Sequence, residues 1–146
     1  VASVSGILLD GYMDRPELSS LFLQCDAYVS LHRSEGFGLT MAEAMAYGKP
    51  VIATAYSGNT DFMNVSNSYP VAYRIVELEQ DYGPYQKGSV WAEPDLDHAV
   101  VQLRHVFEHP DEARRIGARA AADIELHYSS PAIARKMIER VKMLAG

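Results

Sequence analysis

Ser34-Glu35-Gly36-Phe37-Gly38-Leu39-Thr40-Met41-Ala42-Glu43-Ala44-Met45-Ala46-Tyr47-Gly48-Lys49-Pro50-Val51-Ile52-Ala53-Thr54 is the stretch that decides the fold. Gly36 and Gly38 stand where a helix from about Leu39 to Tyr47 begins. Gly48 stops that helix and Pro50 lies beyond it. Val51 to Thr54 then reads as a buried-type strand. Immediately upstream, Ala27 to Leu31 is a second apolar run of strand length. Strands alternating with helices over short connections mean parallel βαβ units, with right-handed crossovers. The expected fold class is therefore α/β with a parallel sheet.

The same stretch carries chemistry. Its glycine turn gathers free backbone N–H groups at the positive end of a helix, which suits a phosphate. Glu35 lies just before the turn and Glu43 on the helix, with seven residues between them. An ionised carboxylate accepts hydrogen bonds from hydroxyls. Phosphate at the turn and hydroxyls on both sides describe a nucleotide sugar.

Further outward, Ile7-Leu8-Leu9 is a short apolar run that predicts a buried strand, followed by a turn at Asp10–Met13. Asp14 reads as an N-cap, with Pro16 in the first turn and Glu17 at capping-box spacing. Leu18, Leu21, Phe22 and Cys25 follow at helical spacing. Ligands in parallel sheets bind beyond the carboxyl ends of the strands. The loops expected there are Asp10–Met13, His32–Gly38 and Ala55–Thr60, and the glycine turn lies in the middle one. Val71 to Leu78 suggests one more strand. The segment from Met63 to Trp91 is irregular and aromatic, with Tyr69, Tyr73, Tyr82, Tyr85 and Trp91. A connection of that length is functional or packed over something. Pro94 is expected to open a helix striped by Leu96, Ala99, Val100, Leu103, Val106 and Phe107. A second helix follows Pro110. A third follows Ser129-Ser130-Pro131, with Ile133, Met137, Val141 and Leu144 on one face.

Composition narrows the partners. The net charge of −6, from 13 basic and 19 acidic residues, argues against a general nucleic-acid binder. A chain of 146 residues is one domain by length. The single cysteine, Cys25, cannot form an internal disulfide, so a reducing, cytoplasmic setting is expected. No apolar run approaches the roughly 18 residues of a membrane span.

The segment Glu35-Gly36-Phe37-Gly38-Leu39-Thr40-Met41-Ala42-Glu43-Ala44-Met45-Ala46-Tyr47-Gly48-Lys49-Pro50-Val51-Ile52-Ala53 resembles the signature of retaining, nucleotide-sugar-dependent glycosyltransferases of the group 1 (family 4) class. The resemblance extends over nearly the whole chain. It implies the carboxy-terminal, donor-binding Rossmann-like part of a GT-B architecture. Residues 1–93 would form the βαβ part and residues 94–146 the terminal helices. It also implies transfer of a sugar from a nucleotide diphosphate to an acceptor hydroxyl with retained configuration, in glycan, polysaccharide or glycolipid biosynthesis. By that resemblance Glu35 is the catalytic carboxylate, contacting the donor sugar. Glu43 holds the ribose, the amides of Gly36, Phe37, Gly38, Leu39 and Thr40 meet the sugar and diphosphate, and Met13 touches the base. Phe37 reads more simply as a packing residue. Neither a metal nor another cofactor is implied. The acceptor would be a glycan, lipid or protein, with a membrane's inner face approached through the part of the enzyme that is missing. The family's basic pair and its acceptor-side domain lie outside this sequence. Its 146 residues then read as a piece of a larger enzyme, prone to self-association. The alternative is an inactive nucleotide-binding module.

Other residues have plain readings. His32 and Arg33 stand where the family often has Pro-Ser, and Ser57-Gly58-Asn59-Thr60-Asp61 replaces its usual Gly-Gly-x-x-Glu. His32 and Arg33 read as non-catalytic. His98, His105, His109 and His127 have no metal-ligand spacing and read as surface residues. Cys25 reads as core.

Overall fold

The computed structural model describes residues 6–145. In chain order they form α1 (Arg15–Gln24), β1 (Tyr28–Ser30), α2 (Leu39–Ala46), β2 (Val51–Thr54), a 3₁₀ turn (Gly58–Asp61) and β3 (Tyr69–Val71). There follow β4 (Tyr73–Glu77), β5 (Val90–Pro94), α3 (Leu96–Glu108), α4 (Pro110–Tyr128) and α5 (Ser130–Ala145).

Strands β1, β2 and β3 make a parallel sheet in that order, with Val29 opposite Ile52 and Ile52 opposite Tyr69. The sheet is covered on both faces, as parallel sheets must be. On one side Val51 and Ala53 pack against Phe22 of α1, Met41 and Met45 of α2, and Ala120 of α4. On the other, Ile52, Tyr69 and Val71 pack against Ala99 of α3, flanked by Val106 and Ile116. All four residues of β2 are fully buried. This is the expected α/β arrangement of a partial Rossmann-like domain with helices at its C-terminal end.

Local chemistry explains the boundaries. The Asp14 carboxylate accepts from the Glu17 N–H and the Glu17 carboxylate accepts from the Asp14 N–H, both at 2.9 Å, so the capping box forms. The end of α2 closes as a Schellman motif. Gly48 N–H donates to the Met45 carbonyl at 2.8 Å and Lys49 N–H to the Ala44 carbonyl at 3.0 Å, with Gly48 at φ 70°. The helix α4 passes so close to this corner that a Cβ on Gly117 would meet the Gly48 carbonyl.

Three expectations are corrected. Ile7-Leu8-Leu9 is not a strand: the run is unpaired and exposed. Three apolar residues make a strand only when a neighbour takes up their backbone hydrogen bonds, and none does among the described residues. The run taken as one strand over Val71–Leu78 is two, β3 and β4, broken at Ala72, and β4 leaves the parallel sheet to pair antiparallel with β5. Pro94 ends β5 instead of opening a helix, and the Asp95 carboxylate caps α3 by accepting from His98 N–H at 2.9 Å. On α5 Ala132 is buried, whereas the striped residues Met137, Val141 and Leu144 are exposed. No helix among the described residues is long and apolar enough to cross a membrane.

Candidate functional site

The loop from Leu31 to Gly38 leaves the carboxyl end of β1, and the loop from Ala55 to Ser57 leaves that of β2. Side-chain and backbone hydrogen bonds lock the two together. Ser57 Oγ donates to the Glu35 carbonyl at 2.5 Å. His32 Nε2 lies 3.0 Å from the Tyr56 carbonyl and 3.2 Å from Asn59 Oδ1. Both are acceptors once Asn59 Nδ2 donates to the Thr54 carbonyl at 2.9 Å, so Nε2 carries the proton. His32 Nδ1 faces Ser30 Oγ at 3.1 Å. The ring is thus a strut between the loops. Asn59 is fully buried beneath them.

Gly38 is the N-cap of α2. It adopts φ 88° and ψ 47°, a left-handed conformation natural to glycine, and α2 has no side-chain cap. The amides of its first turn are therefore left for something else. A Cβ on Gly38 would also stand 2.6 Å from Met41 Cε and crowd Asn59 Cβ at 3.2 Å. Gly36 is exposed and open, with nothing within 4 Å of a would-be Cβ.

The side chains around the turn divide as follows. Glu35 is half-buried. Phe37 packs on Phe62 at 5.1 Å and Tyr128 at 5.9 Å between ring centroids, which is the packing reading. Leu39 is exposed, and the Thr40 hydroxyl accepts from Tyr28 OH at 2.8 Å. Glu43 is half-buried and paired with Arg15 from the start of α1. The expected need of that carboxylate for a partner is met within the chain. The Glu43 hydrogen bond, then its charge, raises the Arg15 guanidinium above its ordinary value. Met13 does not follow a strand, because the Ile7–Leu9 strand is not formed. It lines a separate cavity of about 550 Å³ with Leu8, Tyr12 and Glu17.

Arg33, the other cation at these loops, makes a two-pronged bond to Glu93 of β5 at 2.7 and 2.9 Å. That hydrogen bond holds the Glu93 carboxyl below the ordinary carboxylate range. No local pattern signals this pairing, which spans 60 positions. Among the described residues no cluster of three or more His, Cys, Asp or Glu could hold a metal ion.

The family described as "Glycosyl transferases group 1" matches residues 6–123. This chain belongs to that family. Among curated relatives, a trehalose synthase of Pyrococcus horikoshii is 24% identical over 130 residues, 89% of this chain and 26% of the relative. The GtfA subunit of a UDP-N-acetylglucosamine–peptide N-acetylglucosaminyltransferase of Streptococcus agalactiae is 28% identical over 113 residues, 76% of this chain and 21% of the relative. An uncharacterized glycosyltransferase of Methanocaldococcus jannaschii is 43% identical over 56 residues, 38% of this chain and 16% of the relative. The chain thus spans about a quarter or less of the length of these relatives.

Proposed function

We propose that this group 1 chain is the donor-binding part of a retaining glycosyltransferase that moves a sugar from a nucleotide diphosphate to an acceptor hydroxyl. The observation that carries the reading is the uncapped, glycine-started N-terminus of α2, bracketed by Glu35 and Glu43. Its amides and helix dipole suit a diphosphate and would stabilise the charge that develops as it departs. Glu43 would accept from the ribose hydroxyls, exchanging its Arg15 partner for them, and Glu35 would face the donor sugar near its anomeric carbon. The name of the streptococcal relative includes a nucleoside diphosphate sugar, which agrees with this donor class. Retention of configuration rests on the Glu-x7-Glu resemblance.

Calorimetry tests the division of roles in the full-length protein. Glu43→Gln should weaken nucleoside diphosphate and nucleotide sugar alike, by about 1.5–3 kcal/mol for a hydrogen bond to a charged group. Glu35→Gln should spare the nucleotide and impair nucleotide-sugar recognition or turnover. Wild-type affinities for Glu43→Gln, or equal losses for both ligands with Glu35→Gln, would sink the assignment.

One observation favours a second reading, a nucleotide-binding unit without catalysis of its own. Both cations beside the turn, Arg15 and Arg33, are already engaged by carboxylates. Sugar transfer or donor hydrolysis by these 146 residues would exclude that reading.

A further inference from the structure

The last helix carries a surface that the donor site does not use. Of the 16 residues of α5, Ala132 alone is buried. A helix advances about 100° per residue, so Ile133, Met137, Ile138, Val141 and Leu144 gather on one arc of roughly 140°. Ala132 and Lys136 lie on the other side and hold the helix to the body. Lys136 Nζ donates to the His127 carbonyl at 3.1 Å and stands 5.3 Å over the Tyr128 ring. The apolar arc therefore points away from the protein. Met137, Val141 and Leu144 are 64%, 64% and 71% exposed.

Charge is arranged around this arc. Arg135 and Lys142 border it on one side and Arg140 on the other. None of the three has an ion-pair partner among the described residues. Glu139, the one carboxylate of the helix, falls at the opposite pole. Four cations against one carboxylate give α5 a charge of +3, and the chain as a whole carries −6, which leaves −9 for everything else.

This arrangement fits a flat, anionic surface with an apolar interior. Cations on both borders define a plane parallel to the helix axis, with the apolar arc beneath it. A layer of lipid headgroups meets both borders at once. The arc then enters the acyl boundary, while the Lys and Arg stems reach back to the phosphates. Two copies of α5 packed face to face would instead bring like-charged borders together. At about 24 Å and with charges along its length, the helix can lie along a membrane but not cross one.

We propose that α5 is an interfacial helix that seats this protein on an anionic lipid surface. The acidic remainder is repelled by that surface, so α5 faces it and the body stands off. Tyr128, the last residue of α4, packs on Phe37 of the glycine turn at 5.9 Å between ring centroids, so α5 starts beside that turn. No part of this contact depends on what the turn binds.

Vesicle co-sedimentation tests it, with both the full-length protein and the 146-residue chain. The vesicles are phosphatidylcholine alone, or phosphatidylcholine with about 30% phosphatidylglycerol. Both proteins should bind the anionic vesicles at least about tenfold more tightly than the neutral ones, and about 0.5 M salt should weaken that binding. Met137→Ser/Val141→Ser/Leu144→Ser, at three exposed positions, should weaken it at least about tenfold and leave the melting temperature unchanged. Arg135→Gln/Lys142→Gln should weaken it about tenfold or more. Arg104→Gln/Arg119→Gln removes the same charge from exposed positions on α3 and α4 and should stay within about twofold of wild type. Equal losses in the two double variants, equal binding to both kinds of vesicle, or binding untouched by the triple variant would each overturn the proposal. So would binding by the 146-residue chain but not by the full-length protein, which would show that the rest of the enzyme covers α5. Self-association that the triple variant abolishes, with no vesicle binding, would assign the face to a second copy and overturn it as well.

Discussion

Gly58→Ala and Gly36→Ala form a matched pair that separates the floor of the site from its open side. Gly58 starts the 3₁₀ turn directly beneath the glycine loop. A Cβ there would meet the Gly36 carbonyl oxygen and stand 2.8 Å from its carbon and 2.9 Å from Phe37 Cα. Carbon atoms prefer about 3.5–4.0 Å and the Gly36 oxygen is closer still, so the loop must retreat by about 1 Å or more. The obstructing atoms are backbone and cannot rotate away. Overpacking of this kind costs about 1–3 kcal/mol. At about 2–4 °C per kcal/mol for a chain of this size, the melting temperature should fall by about 2–12 °C. The displaced amides should also lose donor affinity or turnover, since about 1 Å of misplacement can cost about a hundredfold. Gly36→Ala meets nothing within 4 Å and needs no unusual backbone angle, so it should leave stability within about 0.5 kcal/mol. Its new methyl points to where the ligand is placed, so it should weaken donor binding without weakening the fold. Thermal unfolding and nucleotide-sugar calorimetry on both variants decide the matter. Equal stability of the two variants, or Gly58→Ala melting like wild type, would refute the reasoning.

Gly117→Ala should cost about 1–3 kcal/mol by overpacking, despite alanine's better helix propensity, because its Cβ meets the Gly48 carbonyl; urea unfolding that shows stabilisation would contradict this. Asn59→Ala should destabilise by about 1–3 kcal/mol by stripping the Thr54 carbonyl and His32 Nε2 of a buried partner, read from the same unfolding curves. The Arg33–Glu93 pair should stabilise by at most about 1 kcal/mol, being partly exposed. Because the folded state depresses the Glu93 carboxyl, that contribution is present above its unfolded value and is lost as pH falls through the folded one. The stability gap between wild type and Glu93→Gln should therefore shrink below about pH 4, and a gap that stays constant would show that the pair is not its source.

The parts of the fold legible in the sequence were those set by local chemistry. The Asp14 and Glu17 spacing, the Gly48 stop and the four-residue apolar run of β2 each carry their own structural reason, and each forms where it was read. Long-range pairing was not legible. Ile7–Leu9 has the composition of a strand, but a strand exists only where a neighbour completes its hydrogen bonds. Val71 to Leu78 is one continuous stretch by pattern. Nothing local reveals that Tyr69–Val71 joins a parallel sheet while Tyr73–Glu77 turns away to an antiparallel partner more than ten residues on. The α5 stripe shows the same limit: Met137, Val141 and Leu144 have helical spacing, but spacing does not say what covers a face.

At the site, the glycine turn and its two glutamates stood out because their spacing is itself the signal. What supports the turn did not. His32 and Ser57-Gly58-Asn59 depart from the usual family pattern at two places, and each looks incidental alone. The structure joins them: His32 bonds Asn59 and the Tyr56 carbonyl, Ser57 bonds the Glu35 carbonyl, and Gly58 leaves the room that Gly36 occupies. The two departures therefore belong together. A histidine reaching down from one loop needs a buried amide to receive it. A serine in place of the usual first glycine supplies a hydroxyl to the carbonyl of the catalytic candidate Glu35. Ser57 takes on φ 79° to do so, an angle that costs a non-glycine residue about 1–3 kcal/mol unless its surroundings hold it there. Its 2.5 Å bond to Glu35 and the Thr60 hydroxyl bond to its carbonyl at 2.7 Å are what hold it. Restoring a single family-typical residue on one loop would strand its partner on the other. Changing both sides together is the substitution the geometry can absorb.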